Sequence, residues 1–267
     1  MSSSFQETAT VVSQKQLAKD IMELVVQTEQ IAMHAKPGQF VDLYCDDAGK
    51  LLPRPISICG IDRGKNRLRF VYRVTGEHTG TAEFASKKEG DAIKVLGPLG
   101  NGFSLDKKYK KVVLLGGGIG VPPMLALAKE AKLLYKDTQT TVSAVMGYRD
   151  SATFLSEEFR AVTDTYIATE DGSIGTKGNV LDAMREYALE ADVLYACGPL
   201  PMLRAVKQFA TEHDMDCFIS MEERMACGIG ACLACVCRTT QKDAHSNVHN
   251  KRICKDGPVF DAREVEL

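Results

Sequence analysis

The sequence predicts an antiparallel β-barrel over 1–103, a doubly wound parallel α/β sheet over 104–222 and a small cysteine-rich subdomain over 223–267. Three observations carry this division. Short alternating apolar runs fill the first hundred residues, strands alternating with helical patterns follow, and four cysteines stand near the end of the chain in a metal-binding spacing. At 267 residues the chain is long for a single core and suits two ordinary domains, with a tail too small to be stable without its metal.

In the first part the apolar residues alternate over Ala9 to Ser13, Ile21 to Thr28, Gln39 to Cys45, Ile56 to Ile61, Leu68 to Val74 and Ala92 to Leu96. A period of two places one set of side chains on a buried face, and Pro-Gly, Asp-Asp-Ala-Gly and Arg-Gly-Lys-Asn turn signals break the runs. Only Thr79 to Lys87 reads as helical. Six such runs predict an antiparallel barrel.

After Gly97-Pro-Leu-Gly-Asn-Gly-Phe103 the rhythm changes. Strands are expected over Lys111 to Leu115, Thr141 to Gly147, Thr165 to Thr169, Val193 to Cys197 and Cys217 to Met221. Helices are expected over Pro122 to Leu134, Glu157 to Val162, Asn179 to Ala188 and Pro201 to Glu212. Repeated strand-helix units give a parallel sheet that takes ligands at the carboxyl ends of its strands.

The cysteine pattern is the most specific signal in the chain. Cys227, Cys232, Cys235 and Cys254 follow the C-x4-C-x2-C spacing with one further Cys at a distance, as in plant-type ferredoxins, where four thiolates hold a 2Fe-2S cluster. The run from Cys227 to Cys235 is rich in small residues, as a backbone wrapped closely around inorganic sulfide requires. The alternatives are a tetrahedral zinc site or uncommitted thiols; structural zinc sites usually draw ligands from two short paired clusters. Cys237 lies two residues past Cys235, too near to replace it in the arc, and reads as a bystander.

Two further stretches are candidate nucleotide sites. The first strand of the parallel sheet runs into Gly116-Gly117-Gly118-Ile119-Gly120, and Pro122 presets the next helical turn, whose open amides attract phosphate. The stretch departs from G-x-G-x-x-G, and glycine-rich turns without a ligand are common. Cys197-Gly198-Pro199 ends a later strand, where a small thiol could lie against a nicotinamide ring or simply be buried.

In the barrel, Arg54-Pro55-Ile56-Ser57 opens a strand, Val71-Tyr72-Arg73 lies on the next and Gly80-Thr81 starts the helix. Arg54 could neutralise a diphosphate, Ser57 could bond a flavin ring, Tyr72 could stack on it, and the turn at Gly80 could meet phosphate. Taken singly, each is more often an ordinary strand residue.

Bulk properties narrow the function. A net charge of −2 with 25% charged residues offers no basic surface for nucleic acid, and the five histidines form no ligand pattern. The start, Met-Ser-Ser-Ser-Phe-Gln-Glu, lacks a basic-then-apolar leader, and no apolar run has membrane length. With nine cysteines, the expected setting is the reducing cytoplasm, without a membrane.

In this order the motifs resemble the ferredoxin-reductase superfamily, and more closely the family of electron-transfer subunits of class 1B dihydroorotate dehydrogenases. The resemblance rests on Arg54-Pro-Ile-Ser-Ile58, Gly97 to Phe103, Gly116-Gly-Gly-Ile-Gly-Val-Pro-Pro123, Asp171-Gly-Ser-Ile-Gly-Thr-Lys-Gly178, Met221-Glu-Glu-Arg-Met-Ala-Cys-Gly-Ile-Gly-Ala-Cys232 and Cys254-Lys-Asp-Gly-Pro-Val-Phe260. It implies FAD on the barrel residues, NAD on Gly116 to Gly120 and Cys197 to Pro199, and a 2Fe-2S cluster on the four cysteines.

It further implies an FMN-containing dihydroorotate dehydrogenase catalytic subunit as partner, in a heterotetramer of two plus two. Electrons from dihydroorotate would pass through the partner's FMN, the cluster and FAD to NAD+. No dihydroorotate-binding or catalytic base is identifiable here, and Cys197 is a candidate only for positioning the nicotinamide. Asp150 would repel a 2′-phosphate of NADP, whereas its neighbour Arg149 would attract one. Two other readings share parts of the pattern: the small subunit of an NAD(P)H:ferredoxin-type or sulfur-reducing oxidoreductase, and a zinc-stabilised binding module without turnover.

Overall fold

Residues 3–242 and 247–267 are described in this computed structural model. The chain forms two units. The first comprises the chain up to Gly102 together with Glu222–Val236 and Arg252–Pro258, and the second comprises Phe103–Met221, Cys237–Lys251 and Val259–Leu267. Cys227, Cys232, Cys235 and Cys254 all belong to the first unit.

In the first unit, β1 (Phe5–Ala18), β2 (Ile21–Gln27), β3 (Phe40–Leu43), β4 (Arg54–Asp62), β5 (Arg67–Arg73) and β6 (Ala92–Leu99) close a barrel. Its strand order is β1-β2-β5-β4-β3-β6, and every pairing is antiparallel. Each expected alternating run is a strand, and β1 extends beyond its run at both ends. Its polar outward residues do not interrupt the ladder, which continues to Ala18 opposite Ile21. Leu24, Val26, Leu43, Ile58, Leu68, Phe70 and Phe84 fill the interior. Each such side chain contributes roughly 1.5–3 kcal/mol on leaving water.

Two short helices join the strands: α1 (Gln30–His34) and α2 (Gly80–Ala85). The second matches the expected helix and is capped by Thr79, whose hydroxyl accepts the amide of Ala82 at 3.3 Å. The first was not expected, because five residues are too few to display a helical period. Its open amides are satisfied from another strand: the Glu7 carboxylate accepts from Glu29, Gln30 and Ile31 at 2.6, 2.8 and 2.9 Å.

Strand β3 is covered on both faces. Val41 and Leu43 point into the barrel core, whereas Phe40 and Asp42 occupy the opposite face and are buried as well. The cover over that face comes from the C-terminal segment. A Cβ at Gly100 would meet Pro258 and the Phe40 ring, and one at Gly228 would meet Asp42 and Leu99.

In the second unit, β7 (Lys111–Gly117), β8 (Thr141–Tyr148), β9 (Asp164–Thr169), β10 (Thr176–Lys177), β11 (Val193–Cys197) and β12 (Asp216–Ser220) form a sheet. The helices are α3 (Val121–Leu134), α4 (Ser156–Arg160), α5 (Val180–Glu186) and α6 (Leu200–Glu212). Strands β13 (Val236–Arg238) and β14 (Asn250–Arg252) pair as a ribbon, and β15 (Val259–Asp261) adds antiparallel to β12. The sheet order is β10-β9-β8-β7-β11-β12-β15, with all pairings from β10 to β12 parallel. The chain winds from β7 outward through β10, then returns to the other side of β7 at β11. That reversal is the topological switch point, where doubly wound sheets bind ligands.

Candidate functional site

The four cysteines are brought together as two sulfur pairs. In the loop 227–232 the Cys227 sulfur accepts the amides of Ala231 and Cys232 at 3.2 and 3.4 Å, and the Cys232 thiol also donates to it. Across the longer separation, the amide of Cys254 reaches the Cys235 sulfur at 3.4 Å and the two thiols are hydrogen-bonded. Gly228 has φ +65°, a left-handed turn that lets the loop double back over its first ligand.

The local field differs between the pairs. Burial opposes ionisation of Cys227, but the amides of Ile229, Cys232 and Ala231, with the Cys232 thiol, pull it down to about 6. Burial, then the Cys235 thiol and the charge on Cys227, push Cys254 up to about 12. A metal centre at Cys254 would displace that proton on binding.

Among the described residues no three Cys, His, Asp or Glu side chains converge on a position for one ion. Four thiols in two pairs, with backbone amides aimed at one sulfur of each pair, fit the all-thiolate donor set of a 2Fe-2S cluster.

The loops are held by the barrel unit itself. Asn101 Nδ2 donates to the carbonyls of Lys255 and Asp256 at 3.2 and 3.0 Å, and its amide donates to Gly257 O at 2.6 Å. Arg252 pairs with Asp256 and donates to Gly230 O at 3.1 Å, tying the Cys254 segment to the Cys227 loop. The Cys237 thiol donates to Lys251 O at 3.4 Å.

On the barrel, Arg54 and Gly80 meet. A Cβ at Gly80 would lie 2.9 Å from Arg54 Nε and 2.8 Å from Cys45 Sγ, so only glycine lets the guanidinium lie over the first turn of α2. Arg54 Nη1 donates to Leu52 O at 2.6 Å, which fixes the fork. A guanidinium beside open backbone suits a diphosphate. Thr81 Oγ1 instead accepts the amide of Thr75 at 3.2 Å and bonds Thr79 Oγ1 at 2.9 Å, shaping the loop. Ser57 on β4 is half-buried opposite Phe40, with Pro55 opposite Asp42. Val71 is buried and Arg73 is exposed at the end of β5.

The Tyr72 ring is 2% exposed, within the barrel core and edge-on to Phe84 at 6.4 Å, and its hydroxyl accepts from Gln14 Nε2 at 2.9 Å.

In the sheet unit, β7 and β11 are neighbours with Cys197 opposite Gly116, so the triple-glycine turn and Cys197-Gly198-Pro199 share the switch point. A Cβ at Gly120 would sit 2.3 Å from the Cys197 carbonyl oxygen, and one at Gly198 would sit 2.8 Å from Met202 Sδ. The glycines thus let two turns pack edge to edge. Cys197 is 1% exposed, with its carbonyl against Gly120. Pro122 and Pro123 open α3.

Asp42 escaped the sequence reading. It is 0% exposed, neither carboxylate oxygen has a hydrogen-bond partner among the described residues, and burial and then the Cys227 charge raise it to about 7. Alternation alone assigns it to an outward face, and nothing local signals that the cluster loop covers that face.

Comparison with known proteins agrees with this geometry. The chain matches three family models: the oxidoreductase FAD-binding domain over 8–103, the oxidoreductase NAD-binding domain over 114–208, and the iron-sulfur cluster binding domain of dihydroorotate dehydrogenase B over 222–266. It is 46% identical over 266 residues to the electron transfer subunit of dihydroorotate dehydrogenase B (NAD+) from Geobacillus sp. (strain WCH70), covering 98% of this chain and 99% of that one. The chain belongs to the family of dihydroorotate dehydrogenase B electron transfer subunits.

A further member of that family, from Bacillus cereus (strain B4264), is 44% identical over 261 residues, covering 96% and 97% of the two chains. Among solved structures, a chain of an NADH-dependent reduced ferredoxin-NADP oxidoreductase superposes with TM-score 0.84 at 29% identity, covering 97% of this chain and 90% of that one. The ferredoxin reductase in carbazole 1,9a-dioxygenase superposes with TM-score 0.67 at 20% identity over 79% and 67% of the chains, and shares the fold. As a family member the chain is an oxidoreductase component with FAD-binding, NAD-binding and iron-sulfur domains, and the name of the family, an electron transfer subunit, implies a separate catalytic subunit as partner. No helix among the described residues is long and apolar enough to cross a membrane.

Proposed function

We propose that this chain carries electrons for an NAD-dependent dihydroorotate dehydrogenase, taking them from an FMN-containing catalytic subunit in a cytoplasmic heterotetramer of two plus two. The observation that carries the reading is the pairing of four ferredoxin-spaced sulfurs within the same unit as the barrel.

When bound, the 2Fe-2S cluster passes one electron at a time and FAD collects two, which is what a hydride acceptor such as NAD+ requires. The chain's residues then have separate tasks. Cys227 and Cys232 would hold one iron and Cys235 and Cys254 the other. Arg54, with the turn at Gly80 and Thr81, would seat the FAD diphosphate, while Pro55, Ser57, Val71 and Arg73, with the main chain of the core residues Ile56 and Tyr72, would line the flavin. Gly116, Gly117, Gly118 and Gly120 would admit the NAD pyrophosphate, with Cys197, Gly198 and Pro199 beside it. No residue here is assigned to dihydroorotate, whose chemistry belongs to the partner.

The structural likeness to an NADH-dependent reduced ferredoxin-NADP oxidoreductase chain supports a second reading, in which the partner is a ferredoxin-linked oxidoreductase. Coexpression separates the two. With an FMN-bearing dihydroorotate dehydrogenase subunit, the purified complex should reduce NAD+ with dihydroorotate; failure to co-purify or to couple would favour the second. Electron paramagnetic resonance of the dithionite-reduced protein should show a reduced binuclear iron centre, and its absence at full metal occupancy would overturn both.

A further inference from the structure

The carboxyl group of Asp42 occupies a place in the fold that an apolar side chain could fill at less cost. It stands on the outer face of β3, opposite Pro55 of the flavin-side strand β4, and the loop of Cys227 lies directly over it. The approach is close enough that a Cβ at Gly228 would fall 2.1 Å from Asp42 Oδ2. The carboxyl is fully buried with neither oxygen hydrogen-bonded among the described residues. Burying a polar group without a partner is unfavourable, so such groups usually acquire a donor.

Donors are near but committed elsewhere: the amides of Ala231 and Cys232 in the same loop point at the Cys227 sulfur. The carboxyl therefore lies against Gly228, the residue next to the first cluster ligand, with no hydrogen bond among the described residues to hold it elsewhere.

We propose that Asp42 is a tuning residue of the 2Fe-2S cluster, a buried acid that disfavours the reduced, more negative state and so lowers the cluster's reduction potential. The reaction it acts on is the gain of one electron by one ferric iron, which becomes ferrous, with no bond made or broken and no proton required. In a buried site of low effective dielectric, a carboxylate opposes that added charge far more strongly than in water. Its place between β4 and the cluster loop lets one side chain set how readily the centre accepts an electron.

The inference rests on the cluster reading, and the test distinguishes the two. Iron content and the resonance signal of the unmodified chain report the cluster; the midpoint potential of variants reports Asp42. Asp42→Asn keeps the shape without the charge, and Asp42→Val fills the space without polarity. The full-length chain with its cluster, poised with dithionite at pH 9 and followed by electron paramagnetic resonance, is expected to show a higher midpoint in both variants. The expected shift is about a tenfold change in the one-electron equilibrium, roughly 59 mV, with iron content unchanged. An unchanged or lower midpoint in either iron-loaded variant would overturn the proposal. Loss of iron from both variants would also overturn it, by making Asp42 a scaffold for the loop instead of a tuner.

Discussion

The amide of Cys254 donates to the Cys235 sulfur at 3.4 Å across nineteen residues of sequence, closing the cysteine arc with a contact between distant loops. Under the proposed ligand assignment, removing one thiolate of either pair would leave one iron under-coordinated. Cys232→Ala and Cys254→Ala are therefore expected to abolish the cluster, read as loss of iron and of the red-brown absorbance. Cys237 lies outside the proposed ligand set and its thiol donates to Lys251 O, so in Cys237→Ala the iron content should remain near that of the parent. Retention of full iron by the Cys254 variant would break the ligand assignment.

The Asn101 side chain reaches the same segment from the barrel, with bonds to the carbonyls of Lys255 and Asp256. Asn101→Ala leaves two carbonyls without that donor, at about 1 kcal/mol for each neutral hydrogen bond. Faster loss of iron to a chelator is expected, with the spectrum of the freshly loaded cluster unchanged. Equal chelation rates would show that the Cys254 segment is held by other contacts.

The contact of Gly80 with Arg54 gives a test of the flavin seat. A methyl group at position 80 would lie 2.9 Å from Arg54 Nε, so Gly80→Ala must push the guanidinium away from the turn. Arg54 moves because its side chain is the flexible partner. The variant should retain its cluster yet lose FAD on gel filtration, with affinity weakened at least tenfold. Arg54→Ala should do the same, and an unchanged flavin content in both would remove the diphosphate seat from this corner.

How much of this could be read beforehand depended on whether the determining contacts were local. The six barrel strands and the parallel sheet were legible because alternation and helical period are properties of neighbouring residues. Helix α1 was not, since its amides are capped by Glu7, more than twenty residues earlier in the chain. The inward turn of the Tyr72 ring was legible in the same way as the strands: Leu68, Phe70 and Tyr72 alternate with Arg69 and Arg73, so the pattern that predicts the strand also places the ring in the core. The cysteine spacing announced the cluster, whereas the burial of Asp42 required knowing that Gly228 folds back over β3. The short strands β13 to β15 have too few residues to display any period.

The close fit of Gly120 against the Cys197 carbonyl predicts a different kind of damage. A Cβ there would approach the carbonyl oxygen to 2.3 Å, and since both partners are backbone, neither can swing aside. Gly120→Ala is expected to destabilise the sheet unit by roughly 1–3 kcal/mol, the usual cost of overpacking. It should also weaken NADH binding, because the two turns at the switch point must separate. Measured by thermal unfolding and by NADH-dependent reduction of an artificial acceptor, an unaltered variant would contradict the packing.

At the opposite end of the same sheet, the Tyr109 hydroxyl donates to Asp216 at 2.6 Å, and Arg263 and Lys108 approach the carboxylate at 3.0 and 3.5 Å. The Tyr109 bond, opposed by partial burial and aided by the two cations, holds Asp216 below its ordinary 3.8. The folded chain therefore binds this proton less tightly than the unfolded chain does. The resulting stabilisation is complete above about pH 4, near the unfolded value, and is lost as pH falls through the depressed folded value. Tyr109→Phe deletes this hydrogen bond while leaving a buried ring of nearly the same volume, at a cost of roughly 1–2 kcal/mol near neutral pH. Denaturant melts of parent and variant should converge as pH drops from 5 towards 3, because protonation removes from the parent the charge-assisted bond that the variant already lacks. A gap between the two curves that widened on acidification would reverse the sign of this linkage.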